Sequence, residues 1–455
     1  MRTQFSDNSR NRKFQMEGNA SCGVVFLLGI ALIGCRQPPR EAVALQYAYS
    51  WNEDRPQERT LLQRFTQETG IGVTNIPIPE ASREYVDLAH KLLQDGSGPD
   101  LLNVDLIWTP ILEPDLIDLQ PYLAPEIAQL DPQLLRNYSV NGKLVAVPFN
   151  VPLGGLQYRT DLLREYGYAH PPRTWDELES MAERIQKGER AKGRKDFWGY
   201  VWQGNAAESL TCNALEWQES AGGGRIIEQN RTISVNNPAA IGAWQRARHW
   251  IGWISPPGVV AYRETDTMLI FDSGRAAFSR VWVLTPMSRK GEARQIGWRS
   301  SLPPLKTGLA RMPGGSEGSA GTLGGTGTAI SSHSTHRQEA IALLRFQLRS
   351  LIDEGENYNG PAAPNQVELS NPPSMADPRV PSVSSTQLAS VIVARPSIET
   401  GSAYKAVSEA YSDAVHSVLT GQSSTPDAAA KLEKQLIEIT GFHPGPPRTA
   451  DNHVR

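Results

Sequence analysis

Gly314-Gly315-Ser316-Glu317-Gly318 has the spacing of a nucleophile elbow. That device needs a strand before the serine and a helix after it, so that the hydroxyl stands on a strained turn. Both flanks here contain Gly and Pro, which predicts a loop with no nucleophilic role. His333 and His336, in His333-Ser334-Thr335-His336, lack the H-E-x-x-H pattern and a third ligand. They read as a capped junction entering a helix. The sequence carries no Gly-Lys-Ser/Thr phosphate loop, no Cys-x-x-Cys and no dinucleotide fingerprint, so no cofactor or metal is expected. Paired carboxylates remain open. A glycosidase needs two carboxyls about 5–10 Å apart across the scissile bond. With 48 Asp and Glu residues in the chain, finding a candidate pair by eye decides nothing.

The composition narrows the classes. The chain has 455 residues, 39% hydrophobic and 20% charged, enough for an ordered core spread over more than one domain. A formal net charge of −3 argues against a basic nucleic-acid footprint. Three cysteines in this length exclude a disulfide scaffold, and Cys212 reads as a small buried hydrophobe. The 11 Trp nearly equal the 13 Tyr, and so many large flat side chains in a polar chain suggest a carbohydrate-facing surface.

The N-terminus supplies an address. Arg2, Arg10, Arg12 and Lys13 precede an uncharged run from Gly18 to Cys35, too short for a comfortable membrane span. The run ends in Leu32-Ile33-Gly34-Cys35, which resembles a bacterial lipobox whose cysteine is acylated after cleavage. Asp7 and Glu17 are unusual in such a leader. Residues 1–34 are expected to be a signal peptide, Cys35 the lipidated residue and 35–42 a short tether. The rest is expected outside the cytoplasm, as a lipid-anchored, most simply monomeric chain.

The remaining sequence alternates strand and helix patterns. Strands are predicted at Val43–Tyr47, Gly72–Ile76 and Asp100–Ile107. Helices are predicted at Arg59–Glu68 and Tyr85–Gln94, where leucines recur on one face. This β-α-β-α-β order predicts an α/β sheet with ligands beyond the strand carboxyl ends, where Asp105 and Trp108 fall. A second unit starts near Val147. Thr174-x-x-Glu177 forms a capping-box pattern, and Asn237-Pro238 an N-cap with proline at the first helical position. Gly308 to Gly327 reads as a Gly-rich loop entering a strand at Thr328–Ile330. Further helices are predicted over Glu339–Ile352, Tyr404–Leu419 and from Thr425. Asn359 to Ser385, rich in Pro, Ser and Asn, reads as an irregular crossing.

Longer motifs then carry a resemblance. They are Pro171-Pro172-Arg173-Thr174-Trp175-Asp176-Glu177-Leu178, Ile185-Gln186-Lys187-Gly188-Glu189-Arg190 and Phe197-Trp198-Gly199-Tyr200-Val201-Trp202-Gln203-Gly204. Shorter ones are Asp105-Leu106-Ile107-Trp108, Ile254-Ser255-Pro256-Pro257, Ala276-Ala277-Phe278, Thr322-Leu323-Gly324-Gly325 and Ala394-Arg395-Pro396. Together, over residues 41 to 440, the chain resembles the trehalose/maltose-binding proteins of ABC importers, a branch of the family 1 extracellular solute-binding proteins.

The resemblance implies an α/β, two-lobed periplasmic-binding-protein fold (type II-like). Lobe 1 is expected over 43–147 plus about 285–350, and lobe 2 over 148–284 plus about 351–445, with a tail at 446–455. It implies sugar capture in the cleft, hinge closure and delivery to a membrane permease. Asp105 matches an acid that accepts sugar hydroxyls, and Glu53 a second such acid. Arg395 matches a site arginine, and Trp282 a tryptophan that offers an apolar face to a pyranose. Asn150, Gly325 and Thr326 complete the implied substrate-binding set.

Three positions depart from the family pattern. Val281-Trp282-Val283-Leu284 lacks the usual Pro-Tyr, Thr326 stands where a tryptophan follows Gly-Gly, and Pro152 stands where an aspartate is expected. They thin the sugar contacts and point to a smaller glycoside, such as glucosylglycerol, or another disaccharide. The expected function is a non-enzymatic sugar receptor of an ABC importer. The alternatives are a secreted carbohydrate-active enzyme or a sensor built on the same fold. Trp175, Trp198, Trp202, Trp244, Trp250 and Trp253 are expected in the scaffold.

Overall fold

Residues Ala44–Tyr49 alternate exposed and buried before becoming wholly buried, the pattern of a strand entering a sheet interior. The computed structural model describes residues 43–49, 56–77, 82–94, 98–130, 132–148, 151–284, 294–295, 305–353 and 392–447. In chain order the principal strands are β1 (Ala44–Tyr49), β2 (Gly72–Pro77), β3 (Leu101–Asp105), β4 (Val147–Pro148) and β5 (Pro152–Arg159). They continue as β6 (Trp198–Val201), β7 (Ala276–Leu284), β8 (Arg294–Gln295), β9 (Thr307–Arg311) and β10 (Thr326–Ile330).

Two sheets account for all ten. The first has the order β2-β1-β3-β10-β4. Its β1–β2 and β1–β3 pairs are parallel, and β10 runs antiparallel to both β3 and β4. The second has the order β8-β7-β5-β9, with β6 pairing parallel to β7. Each sheet faces its own hydrophobic core. One contains Phe65, Leu93, Val104, Trp108, Leu119 and Leu344. The other contains Trp175, Tyr200, Trp202, Trp217, Trp244 and Trp250.

The predicted helices form, with small shifts at their ends. Pro56–Thr69 and Ser82–Gln94 flank β2, as expected. The helix Trp175–Ala191 starts where the Thr174 hydroxyl accepts from the Glu177 N–H at 3.2 Å. The Glu177 carboxylate reaches back to the Arg173 N–H at 2.7 Å, one residue before the ideal box. Asn237 caps Pro238–Trp250 through both the Ala239 and Ala240 N–H groups at 3.0 Å. The helix Tyr404–Leu419 spans both cores: Tyr404 packs in the first, while Val407, Tyr411, Val415 and Val418 pack in the second.

The Gly-rich stretch differs from its expectation. It is largely strand: β9, a hairpin of Gly314–Gly315 with Gly318–Ser319, the short strand Gly321–Thr322, and β10. The same finding divides the stretch expected in lobe 1 at about 285–350. β9 hydrogen-bonds to β5 in the second sheet, whereas β10 lies in the first. The short strand Gly321–Thr322 and the turn that follows it to Gly325 therefore connect the two sheets. The nucleophile-elbow spacing falls on the hairpin turn, so Ser316 has no following helix; its hydroxyl donates to the Ala221 carbonyl at 3.1 Å. His333 and His336 lie in the junction before the helix Arg337–Asp353, and His336 N–H donates to Ser334 at 3.1 Å.

Among the described residues no helix is long and apolar enough to cross a membrane. Cys212 is buried, and burial pushes its thiol up to about 12. Residues 1–42, which hold the expected leader and Cys35, lie outside the described residues. So does the expected crossing at Asn359–Ser385.

Candidate ligand site

Asp105 is the last residue of β3, at the carboxyl end where an α/β sheet opens to ligands. Its Oδ1 accepts from the Ile107 N–H at 3.3 Å and caps the turn Leu106–Trp108. Directly across the antiparallel register stands Thr326, so the two side chains share one face of the sheet. Leu106 N–H donates to the Gly325 carbonyl at 3.0 Å. Gly325 holds φ at 137°, a conformation that L side chains rarely adopt, which accounts for glycine there.

Arg395 approaches from the third part of the chain. Residues Ile392–Val393 pair in parallel with Gly321–Thr322. The Arg395 Nη2 donates to Asp105 Oδ1 at 3.4 Å and to the Leu323 carbonyl at 3.3 Å. Its Nη1 donates to Glu208 Oε1 at 2.9 Å. The Arg395 side chain is only 2% exposed, against 24% for Asp105. Arg395 thus reaches the site as a buried brace, and Asp105 carries the accessible carboxylate.

Glu208 was not among the residues expected from sequence. It opens the helix Glu208–Ser220, where the helix dipole favours an acid. It accepts from Tyr404 Oη at 2.5 Å and from Ser408 Oγ at 2.6 Å besides Arg395. Burial pushes the Asp105 carboxyl upward, partly opposed by Arg395 and the Ile107 N–H. Burial works against the Arg395 charge, but the net direction is upward, and the neighbouring Asp105 and Glu208 carboxylates favour the cationic guanidinium.

Trp282 lies on β7, paired with Gly154 of β5, and is half-buried. The Arg280 guanidinium covers its ring at 3.9 Å from the centroid. Gly324 packs against the ring edge: a Cβ there would stand 2.9 Å from Trp282 Cζ3 and 3.2 Å from Pro152 Cγ. The structure therefore groups Asp105, Thr326, Gly325 and Arg395, with Trp282 joined to them through Gly324. Glu53 and Asn150 lie outside the described residues.

Arg280 and Glu216 were also missed. Both side chains are wholly buried, with Arg280 Nη2 at 2.6 Å from Glu216 Oε1 and Nε at 3.3 Å from Oε2. The available signal was a charge in the middle of an apolar strand, Phe278-Ser279-Arg280-Val281-Trp282, and another between Leu215 and Trp217.

Residues 51–350 match the family model for bacterial extracellular solute-binding proteins. The chain belongs to that family. A relative from Deinococcus radiodurans, named "Probable ABC transporter-binding protein", is 36% identical over 381 residues, covering 83% of this chain and 89% of its own. The solved structure of maltose-bound MalE3 from T. maritima superposes with a TM-score of 0.70 at 30% identity, over 88% of this chain and all of that one. A ribitol complex of a solute-binding protein from Agrobacterium radiobacter K84 superposes at 0.67 with 20% identity, over 89% of this chain and all of that one, a likeness of fold. The solute-binding chain thus has the mixed α/β, two-domain architecture of periplasmic sugar-binding proteins. Its two sheets and two cores correspond to that plan.

Proposed function

We propose that the chain is the sugar- or polyol-capturing receptor of an ABC importer, held near its permease by a lipid on Cys35. The observation that carries the reading is Asp105. Its carboxylate is braced by Arg395 through one oxygen and remains partly exposed at a strand end. A braced carboxylate accepts two hydroxyl protons in fixed geometry, and charge-assisted bonds are the stronger kind. Family membership and the likeness to the maltose-bound structure support the same reading.

In this reading the ligand lies between the two lobes. Asp105 and the Gly325–Thr326 backbone bind one side, and the free face of Trp282 covers another. Glu53 and Asn150 add polar contacts. Lobe closure then presents the loaded form to the permease, and no bond in the ligand is broken. Thr326, directly opposite Asp105, is smaller than the tryptophan of the trehalose/maltose pattern, which favours a compact ligand: a monosaccharide glycoside, a short disaccharide or a polyol. Lipidation keeps the receptor at a high effective concentration near its partner.

A thermal-shift screen against maltose, trehalose, sucrose, glucosylglycerol and D-mannitol tests the ligand class. A ligand that binds only the folded state raises apparent stability by about 2.7 kcal/mol at a hundredfold excess over Kd. Stabilisation by at least one of the five is expected; none by any of them counts against the class. For the anchor, Cys35→Ala is expected to release the protein from the membrane fraction, and continued retention would contradict lipidation.

A further inference from the structure

We propose that the buried Arg280–Glu216 ion pair is the positioning device of the ligand platform, fixing the Trp282 indole and the Thr322–Gly325 turn in one frame; this rests on the receptor reading above. Both partners are 0% exposed, and the contact is two-pronged. A buried pair of this kind is weak evidence for stability, because desolvation offsets much of its attraction. Its geometry points instead to orientation.

The pair reaches two separate parts of the site. On one side, the flat guanidinium lies 3.9 Å from the Trp282 ring centroid and occupies one face of the indole. Arg280 Nη1 is buried with no hydrogen-bond partner among the described residues, so the stack uses the guanidinium face and leaves that donor uncommitted. On the other side, Glu216 Oε1 accepts from the Thr322 N–H at 3.1 Å. The Thr322 hydroxyl donates to the Cys212 carbonyl at 3.0 Å, one turn earlier on the same helix. The turn that follows carries Gly324, against the indole edge, and Gly325, whose carbonyl meets Leu106 beside Asp105. One ion pair thereby sets both the platform and the approach of the turn to the acid.

Space around the pair is closed. Gly154, across from Trp282 in the register, leaves room for Glu216 Oε1, and any Cβ there would overlap that oxygen. Lysine at 280 keeps the charge but has no planar face to stack and no fork to meet both carboxylate oxygens. The conservative exchange therefore separates orientation from charge.

The test compares Arg280→Lys, Trp282→Ala and their double variant in the full chain. Affinities for maltose and D-mannitol are measured by calorimetry. Trp282 is followed by its 5-fluorotryptophan ¹⁹F resonance, assigned by its loss in Trp282→Phe. Arg280→Lys is expected to move that resonance in the ligand-free protein and to weaken binding about tenfold, with the double variant weaker than Trp282→Ala by much less than that factor, the remainder being the loss through the turn. An unmoved resonance, or losses that multiply in the double variant, would overturn the proposal. Glu216→Gln, which keeps the shape of the acceptor, takes the place of Arg280→Lys if the latter does not fold, with the same expected outcomes. If the wild type binds neither probe, the ligand-free resonance alone decides the positioning claim, and the receptor reading is decided separately by the five-ligand thermal-shift screen.

Discussion

The Arg395 guanidinium stands between Asp105, 3.4 Å away, and Glu208, 2.9 Å away, so that one buried cation joins the end of β3 to the start of the helix Glu208–Ser220. Those elements belong to different cores, and Tyr404 and Ser408 close the network on Glu208. Asp105, the acid proposed to meet ligand, is consequently braced by a residue nearly 300 positions away in sequence.

Removing the acid removes the accepting oxygens. Asp105→Ala is expected to weaken binding of the preferred sugar or polyol by about 1.5–3 kcal/mol, the scale of a hydrogen bond to a charged group. Calorimetry checks it, and an unchanged affinity would exclude Asp105 from the ligand contacts.

Acidity should act on the same group. Burial raises the Asp105 carboxyl in the folded protein. The folded state therefore binds this proton more tightly than the unfolded chain, whose carboxyl titrates near 3.9. The stability that Asp105 contributes is fullest below that value and is lost as pH rises through the raised folded value. Ligand binding has the opposite sign, because hydroxyl donors favour the ionised form. Affinity is expected to fall as pH is lowered into that range, and the fall should vanish in Asp105→Asn. A profile identical in the two proteins would contradict the assignment.

Arg395→Met leaves Asp105 and Glu208 without their shared cation. Breaking a buried ion pair from one side costs about 3–5 kcal/mol. A discount for the partial exposure of Asp105 places the expectation near the lower end. Urea unfolding measures it, and a midpoint equal to wild type would mean that the network contributes nothing to the fold.

Gly154→Ala inserts a methyl group where Glu216 Oε1 already sits. Overpacking of this kind costs about 1–3 kcal/mol, and here it also displaces the Arg280 pair. A lowered melting temperature together with a moved Trp282 resonance is expected; an unaltered protein would show that the β5–β7 pair can spread.

The alternation of β1, the leucine stripes of Pro56–Thr69 and Ser82–Gln94, and the caps at Thr174 and Asn237 were legible because each is a local pattern. So was the scaffold role of most tryptophans: Trp175, Trp202, Trp244 and Trp250 are buried, and Trp175 and Trp250 lie 5.3 Å apart between ring centroids, while Trp198 and Trp253 are only partly buried. The Gly-rich stretch was misread because glycine there answers to close packing. At Gly308 a Cβ would come within 2.5 Å of the Tyr158 ring across the strand pair, information that resides in β5. The strand pattern placed Asp105 at a sheet end, but its role as a hydroxyl acceptor, and any site role for Arg395, could be proposed only through a family resemblance. Glu208, Glu216 and Arg280 carry no local mark of their partners, since burial and pairing over 64 or more positions arise only when the sheets assemble.

The most direct measurement is native mass spectrometry of the full chain incubated with the best stabilising sugar or polyol, followed by denaturation and mass analysis of the released ligand. A one-to-one complex is expected, weakened in Asp105→Ala and returning the ligand chemically unchanged. A complex of equal strength in Asp105→Ala, or release of a cleaved or modified ligand, would contradict the receptor reading.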